Sequence, residues 1–470
     1  MPIQLTLWLL VMASIISGQT ASKSFEVSGS LRSRMEGWDW FQAESGDGTY
    51  AFSGNVLRVA IQAKRKRYDW TLEMAAPLLV GLPADAVAAG AAGALGLGAN
   101  YYTANHQRSV AAMIFPKQAF VDWKLEQPGG RLRLGRFEFV DGTERSPASA
   151  TLAAVKRDRV AHRLIGHFAW TAVGRSFDGA HFTRNLRGMN LTVVAAAPTR
   201  GVFQVDGWGP LRVGIGYAAL SGGTKTSDWR VFGLYYRDWR QVLKTDNSAI
   251  GIRRGDLTSP EILTYGGHWL KVVKQIDLMG WGALQTGQWG RQAHLASTGA
   301  IEVGWQPKFI IPKWKPWLRG GYFYGSGDKD PNDSRHGTFF EVLPTPRVYA
   351  RMPFYNLMNT EDRFVSLILR PSAKLSVRSD LHALRLSSAQ DLWYAGGGAF
   401  QPWSFGYQGR NGGGARSLAN LVDAGVDWNV RKDISVSCYY GRSLGRSVVK
   451  AIYPKGQSAQ FGYLEVSYRF

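Results

Sequence analysis

The sequence predicts an all-β fold, a single transmembrane antiparallel β-barrel of about 18 strands with short turns at one end and long loops at the other. Three observations support this prediction: apolar and polar residues alternate, turn signals recur at regular intervals, and the final residue is aromatic. The alternation is clearest at the end of the chain, where Leu464, Val466 and Phe470 share one face, and Glu465 and Arg469 share the other. A period of two is typical of a strand between an apolar and a polar environment, and roughly 9–11 tilted residues cross a bilayer.

The first residues of the chain are expected to be removed after export. Residues 1–21 contain an apolar run followed by small and polar residues, which is typical of a secretory signal peptide. No Lys or Arg precedes the run, so cleavage is expected only within a region, from Gly18 to Ala21. Residues 22–470 are predicted to form the barrel.

The composition excludes a helical membrane protein, because no long apolar run follows the N-terminus. The 55 Gly and 59 aromatic residues (18 Trp, 19 Tyr and 22 Phe) suit many strands, tight turns and two aromatic girdles. A single cysteine, Cys438, excludes an internal disulfide. It shares its parity with Val436 and Tyr440, so it is predicted to be a small apolar residue on the outer surface.

The alternation predicts strands in a regular order along the chain. They are expected at residues 25–40, 57–62, 68–74, 119–125, 131–140, 179–186, 189–197, 211–220, 229–239, 261–273, 276–289, 294–305, 317–324, 364–370, 375–386, 418–429, 434–443 and 458–470. The longest connections are expected at 83–114, 141–177, 240–259, 327–360 and 390–415. Short turns alternate with them, which predicts one closed barrel with both chain ends on the periplasmic side. Residues 159–172 could form an extra strand, but they are interpreted as part of a folded extracellular loop.

The inner face of the predicted barrel is rich in arginine. The side chains assigned to the lumen and to the substrate path are Arg32, Arg34, Arg58, Arg131, Arg133, Arg136, Glu138, Arg212, Arg237, Arg319, Arg378 and Asp380. Strict alternation would place Arg136 and Glu138 in lipid. A bulge at Gly135 is therefore predicted to turn both inward and to turn Phe137 and Phe139 outward.

Such an arginine ladder predicts selective passage of anions. Guanidinium groups match carboxylates in a bidentate geometry, and weak binding at many points lets a polyanion leave as well as enter. The alternative interpretation is that these charges pair with one another and only solvate and stiffen a wide lumen.

The net charge of +21 indicates an anionic partner. Nucleic acid, anionic lipid or lipopolysaccharide, and an anionic polysaccharide or acidic small molecule are the candidates. Export of the chain as a barrel disfavours nucleic acid. Lipopolysaccharide around the barrel and an acidic substrate inside it are the partners that we expect.

Neither a catalytic nor a metal site is predicted. The eight histidines lack metal-ligand spacing, no Gly-x-Ser-x-Gly motif occurs, and the Asp-rich segment 328–333 lacks the glycine of a calcium loop. Asp380 and His382 share one face of a strand, which is interpreted as polar packing. We therefore predict no enzymatic activity and no cofactor; an outer-membrane enzyme, or a receptor built on the long loops, is the less favoured alternative.

Several short motifs resemble the alginate-export family of outer-membrane barrels. They are Leu134-Gly135-Arg136-Phe137-Glu138, Phe177-Asp178-Gly179, Ser326-Gly327-Asp328, Gly337-Thr338-Phe339, Leu343-Pro344 and Asp391-Leu392-Trp393-Tyr394. Phe137 departs from the family, which commonly has Gln there. The resemblance implies an 18-stranded barrel, an arginine-rich constriction and export of an acidic, uronate-type polysaccharide, with uptake of small acidic solutes as the alternative.

The terminal strand also resembles the closing strand of Gram-negative outer-membrane barrels, which the barrel-assembly machinery recognises. This resemblance implies the outer membrane of a Gram-negative bacterium.

Overall fold

A computed structural model describes residues 25–126 and 129–470. The predicted signal peptide and part of the turn near residue 127 lie outside these residues. The strands within them are continuously hydrogen-bonded around a closed barrel. The predicted fold class is therefore confirmed.

Eighteen antiparallel strands of the described chain make up the barrel wall. They are β1 (Glu26–Asp39), β2 (Thr49–Lys64), β3 (Tyr68–Val80), β4 (Phe115–Lys124), β5 (Arg131–Phe137), β6 (Phe177–Leu186), β7 (Met189–Pro198), β8 (Val213–Gly223), β9 (Ser227–Asp238), β10 (Glu261–Val273), β11 (Ile276–Trp289), β12 (Gln292–Trp305), β13 (Trp317–Gly325), β14 (Thr360–Leu369), β15 (Leu375–Leu386), β16 (Ser417–Asn429), β17 (Ile434–Gly445) and β18 (Ser458–Arg469).

The connections contain only short elements. The helices are α1 (Leu97–Ala104), α2 (Ala150–Val155, continued by a π-helical turn at Lys156–Val160), α3 (Ile250–Gly255) and α4 (Ser447–Ile452), with 3₁₀ turns at Pro312–Trp314 and Pro346–Val348. The extended pieces are Val110–Ala112, Arg335–His336 and the hairpin Leu392–Gly396 with Tyr407–Asn411. Across the described residues, no helix has the length and apolar character needed to cross a membrane.

The first and last strands close the barrel. β1 pairs with β18 from Ser30 opposite Arg469 to Asp39 opposite Gln460. Beyond this ladder, the backbone amides of Gly29 and Phe470 each donate to the other's carbonyl oxygen, at 2.8 and 3.0 Å. A Cβ atom at Gly29 would lie only 2.3 Å from the Phe470 ring, so glycine lets the terminal aromatic residue cover the seam.

The two faces of the wall follow the predicted alternation. On β18, Leu464 and Val466 are exposed on the outside, while Phe461 is buried inside. The same exposed apolar surface continues around the barrel at Val27, Met35, Leu72, Val121, Leu134, Val231, Leu263, Leu284, Ile301, Val303, Val365, Leu381 and Val422. Cys438 is also exposed on this face, as predicted.

The predicted bulge at Gly135 is wrong. The pairing of β5 with β4 and with β6 continues without a register shift through Gly135 and Arg136. Gly135 has φ +121°, and a Cβ there would lie 2.3 Å from the Ala119 carbonyl oxygen, so the glycine serves close strand contact. The register shift lies instead in β4, where Lys117 is the extra residue opposite β3.

The connections differ in length at the two ends of the barrel, as predicted. The turn end carries residues 65–67, 187–188, 224–226, 274–275, 306–316, 370–374 and 430–433. The loop end carries the long segments 81–109, 138–176, 199–212, 239–260, 326–359 and 387–416. One loop-end connection, at 290–291, is as short as a turn.

Candidate functional site

Two long loops, residues 138–176 and 326–359, fold into the barrel. They meet in the lumen, where Ile165 and Leu343 form a parallel bridge and the Gly166 amide donates to the Leu343 carbonyl oxygen at 2.8 Å. Phe339 and Phe340 are fully buried beside this contact. Burying such side chains stabilises the packing by about 1.5–3 kcal/mol each, so the loops form an apolar core inside the wall.

The residues at 159–172 are not an extra strand. The first two belong to the π-helical turn after α2, and the chain then doubles back, so that the Arg175 amide donates to the His167 carbonyl oxygen at 2.6 Å. We call residues 168–173 of this tip the constriction segment. The prediction that residues 159–172 belong to a folded loop agrees with the structure.

Basic side chains of the wall hold the constriction segment through its backbone. Arg32 donates to the carbonyl oxygens of Ala169 and Thr171. Arg34 Nη1 donates to the Trp170 carbonyl oxygen at 2.7 Å, and Lys117 Nζ donates to that of Val173 at 3.0 Å. Hydrogen bonds from charged donors contribute about 1.5–3 kcal/mol each, so the segment is firmly attached to β1 and β4.

A second arginine layer contacts the aromatic side chains of the segment. The Arg347 guanidinium lies 4.6 Å from the centre of the Trp170 ring and 4.7 Å from that of Tyr463. The Arg175 guanidinium lies 5.3 Å from that of Phe168. These cation–π contacts fix the two aromatic side chains that the segment presents toward the loop end.

The constriction segment separates two cavities. On its loop-end side, Phe168 and Trp170 line a largely apolar cavity of about 550 Å³. On its turn-end side, Ala169 and Thr171 line a cavity of about 280 Å³ that has charged as well as apolar side chains in its wall. The basic residues of the smaller cavity are Arg32, Arg58, Lys117 and Arg469, and its acidic residue is Glu465. We call the smaller one the cationic cavity.

Most of the predicted lumen residues do face inward. Each is ion-paired or hydrogen-bonded there: Arg32 and Arg34 with Glu465, Arg58 with Glu73 and Glu138, Arg133 with Asp122, Arg319 with Asp277 and Glu302, and Arg378 with Asp380. Arg131 is half-exposed near the turn end and reaches Asp122 at 3.4 Å. Glu138 lies just after β5 and also approaches Lys117, at 3.5 Å.

Three predicted lumen arginines do not lie on the inner face. Arg136 pairs with Asp178 on the face opposite to Arg133, while Phe137 is buried against His181 inside. Arg212 is exposed between the buried Leu211 and Val213. The inward predictions for Arg136 and Arg212 are therefore wrong. Phe137 and Phe139 were predicted to face outward, and both face inward.

Arg237 is the third correction. It shares its parity with the exposed Val231 and Tyr235 and lies 3.3 Å from Glu261 near the loop end. A charge costs little near the edge of the bilayer, about 0–1 kcal/mol, and the acidic partner reduces it further. The sequence alternation alone therefore could not decide its side.

Several arginines that lie in the lumen were not predicted from the sequence. Arg230 on β9 contacts Asp141 and Glu144, at 3.2 and 3.0 Å. Its buried neighbours Phe232 and Leu234 have the same parity and would have identified its face. Arg159, Arg163, Arg175 and Arg347 lie in loops and follow no periodicity, so no sequence signal placed them.

Burial changes the acid–base properties of the loop arginines. Arg175 is held by carbonyl oxygens, including that of Leu343 at 2.7 Å, and burial lowers its pKa to about 9. Burial likewise lowers the pKa of Arg163 to about 10, although Glu302 lies 3.7 Å away. Both groups remain cationic at neutral pH and contribute positive potential to the interior.

Comparison with known proteins assigns the chain to a family. The family model for alginate export matches residues 101–443. The chain belongs to the alginate-export family. No curated protein matches the chain at a significant level.

Solved structures share the architecture of this alginate-export family member. OccAB1 of Acinetobacter baumannii superposes with a TM-score of 0.56 at 9% identity, covering 97% of this chain and 99% of that one. OccK11 (OpdR) of Pseudomonas aeruginosa gives 0.53 at 12% identity, covering 95% and 96%. The outer membrane protein OpdK from Pseudomonas aeruginosa gives 0.52 at 9% identity, covering 95% and 99%. Family and fold together identify an outer-membrane channel.

Three of the family motifs, Ser326-Gly327-Asp328, Gly337-Thr338-Phe339 and Asp391-Leu392-Trp393-Tyr394, meet at one buried carboxylate. Asp391 accepts hydrogen bonds from the Asp328 amide at 2.9 Å, the Thr338 hydroxyl at 2.6 Å and the Tyr394 hydroxyl at 2.7 Å. Burial raises the pKa of Asp391 to about 6. This carboxylate joins loop 387–416 to the inward loop 326–359, so these motifs act by holding the loops inside the barrel.

Replacing Asp391 by alanine is expected to loosen the inward loops. The change leaves four donors, these three and the Leu392 amide, without their acceptor, at a cost of about 1–3 kcal/mol for each buried group left unsatisfied. Single-channel recordings should then show larger and more frequent current fluctuations, and loop 326–359 should become sensitive to added protease.

The matched control is Tyr394→Phe, which keeps the ring and removes one of the four bonds, so a much smaller effect is expected. The pKa of Asp391 in the folded protein lies above its ordinary value of 3.8. The contribution of this carboxyl group to stability is therefore fully present below pH 3.8 and is lost as the pH rises through about 6. Current fluctuations in the unmodified protein should increase as the pH rises. Fluctuations in Asp391→Ala no larger than in Tyr394→Phe would contradict the role assigned to this carboxylate.

Proposed function

We propose that this outer-membrane channel passes anionic solutes, and that they cross the lumen through the cationic cavity. The observation that carries the proposal is the lining of that cavity, which contains four basic side chains and one carboxylate, while Glu73 and Glu138 pair with Arg58 outside the lining. An acidic solute that enters this cavity exchanges hydrogen bonds with water for hydrogen bonds with guanidinium and ammonium groups. This exchange offsets part of the cost of desolvating its charge.

The size of the cavities favours small acidic solutes while the constriction segment is in place. The cationic cavity, at about 280 Å³, has room for one small carboxylate and its hydration water. Apolar and aromatic surface on the loop-end side, including Phe168 and Trp170, would contact the uncharged part of such a solute. We propose as substrate-path residues those of the predicted lumen set that face inward, among them Arg32 and Arg58 of the cationic cavity.

Export of an acidic polysaccharide is the second candidate, and the family match favours it. A uronate polymer carries one carboxylate per sugar and would contact successive basic groups. Its passage requires that the constriction segment move aside, because the segment lies between the two cavities. Lipopolysaccharide around the wall and the barrel-assembly machinery at β18 are the further partners that we propose.

Anion preference is measured directly by reconstitution in planar bilayers. With a KCl gradient across the bilayer, the reversal potential should have the sign given by chloride permeation. The preference should weaken at high salt, because the Debye length falls from about 10 Å at 0.1 M to about 3 Å at 1 M. A preference for potassium at low salt would contradict the proposal. Block of the current by monomeric uronate, or only by oligouronates, would separate the two substrate candidates.

A further inference from the structure

A buried acidic group lies on the lumen face of the wall, away from the constriction segment. Asp380 on β15 and Asp423 on β16 are directly opposite each other in the antiparallel ladder. His382 is two residues after Asp380 and therefore lies on the same face. All three side chains are at most 5% exposed. A ring nitrogen of His382 and one oxygen from each carboxylate lie within 4.8 Å of one another.

The carboxylates of this group are only partly neutralised. Arg378 approaches Asp380 Oδ2 at 2.6 Å, and the Tyr439 hydroxyl donates to Asp423 Oδ2 at 2.9 Å. The other oxygen of each carboxylate, Oδ1, is buried and accepts no hydrogen bond from the part of the chain that the structure describes. Like charges directly opposite each other destabilise a ladder, and a buried acceptor without a donor adds to that cost. A cation between the two carboxylates would remove both penalties.

A third acid orients the histidine. Asp362 on β14 contacts His382 Nδ1 with both carboxylate oxygens, at 2.9 and 3.1 Å. This is the arrangement found around metal-bound histidines, in which a carboxylate holds one ring nitrogen and the other ring nitrogen ligates. Phe364 stacks on the imidazole with a ring-centre distance of 5.8 Å and further limits its rotation.

We propose that Asp380, His382 and Asp423 form a divalent-metal site in the barrel wall, with Asp362 as a positioning residue. His382 would ligate through Nε2. Two carboxylate oxygens and one imidazole nitrogen suit Zn²⁺ or Mn²⁺. They are a poor set for Ca²⁺, which takes about 6–8 oxygen ligands.

The site would tie three neighbouring strands together. The ligands lie on β15 and β16, and Asp362 adds β14. Tyr355 of the inward loop 326–359 lies beside the imidazole, at a ring-centre distance of 6.5 Å. A bound dication would therefore rigidify the wall next to this loop and offset the negative charge of Asp380 and Asp423.

Metal content of the purified full-length barrel tests the proposal. The protein in detergent is stripped with EDTA, desalted and equilibrated with ZnCl₂ or with MnCl₂. A parallel sample is refolded from urea with the metal present, so that slow entry into a buried site does not limit binding. We expect one equivalent of metal after desalting, and a rise in Tm in its presence. Excess CaCl₂ should not displace it.

Variants assign the bound metal to this group. Asp423→Asn and His382→Ala should lose the bound equivalent and the Tm rise, and Asp362→Asn should weaken binding by about 10–100-fold. The control is His181→Ala, which removes a half-buried imidazole whose buried Nε2 is also unpartnered within the described chain and which lies outside any such group. It should bind as the unmodified protein does, and heat-modifiable migration on gels reports folding of every variant. The proposal is overturned by less than one equivalent in the unmodified protein under both protocols, or by full binding in folded Asp423→Asn.

Discussion

Replacing the constriction segment by Gly-Gly is expected to raise the single-channel conductance severalfold. The segment lies between the apolar cavity and the cationic cavity, so its removal joins them into one path. The ends of the excised piece are already close, because the Arg175 amide donates to the His167 carbonyl oxygen at 2.6 Å. A short linker can therefore join them without disturbing the rest of loop 138–176.

The physical reason for a large effect is the number of contacts that keep the segment closed. Arg32, Arg34 and Lys117 hold its backbone, and Arg347 packs on Trp170. Each bond from a charged donor contributes about 1.5–3 kcal/mol, so spontaneous opening of all of them is rare. The unmodified protein should accordingly conduct weakly, with long closed intervals.

The matched control shortens the other inward loop at its exposed tip. Residues 330–333 are mostly exposed and lie away from both cavities, so their replacement by Gly-Gly should leave the conductance unchanged. Planar-bilayer recordings in symmetric KCl measure all three proteins. Equal conductance of the excised and unmodified proteins would show that ions follow another path.

The wall of this barrel is predictable from the sequence, because lipid on one side and a polar lumen on the other impose the alternation on every strand. Three strands, β10, β11 and β15, have the predicted bounds to the residue. The alternation no longer predicts which way a side chain faces at the edge of the bilayer, where the surrounding lipid gives way to water. Arg136, Arg212 and Arg237 all lie near the loop end, where an outward charge is tolerated and can find a partner such as Asp178 or Glu261.

The interior is less predictable, because it is built largely by loops without periodicity. The sequence identified the resemblance motifs around Asp391, but the contacts of that carboxylate with Asp328 and Thr338 join distant parts of the chain. The same holds for Arg175 and Arg347, whose places in the lumen depend on the fold of loops 138–176 and 326–359. For part of the arginine ladder, ion pairing supports the alternative interpretation, in which the charges pair with one another and stiffen the lumen. Arg133 is paired with Asp122, and Arg319 is paired with Asp277 and Glu302. Selectivity is therefore expected to depend on the few less fully paired cations.

Neutralising two such cations is expected to reduce the anion preference by about half. In the double variant Arg32→Gln and Lys117→Gln, the cationic cavity keeps Arg58 and Arg469 against Glu465. Glutamine retains an N–H donor for the carbonyl oxygens of the constriction segment, so the change acts mainly on charge. The potential that attracts an anion into a narrow, weakly screened space falls with the number of cations around it.

The readout is the reversal potential in a KCl gradient, which is independent of how often the channel opens. Arg212→Gln and Arg237→Gln together form the control, because they remove the same charge from the outer side of the wall. The control should keep the anion preference of the unmodified protein, and the lumen variant should lose about half of it, with the difference shrinking at high salt. If both double variants shift the reversal potential equally, selectivity arises from the overall charge of the protein, and the cationic cavity has no special part in it.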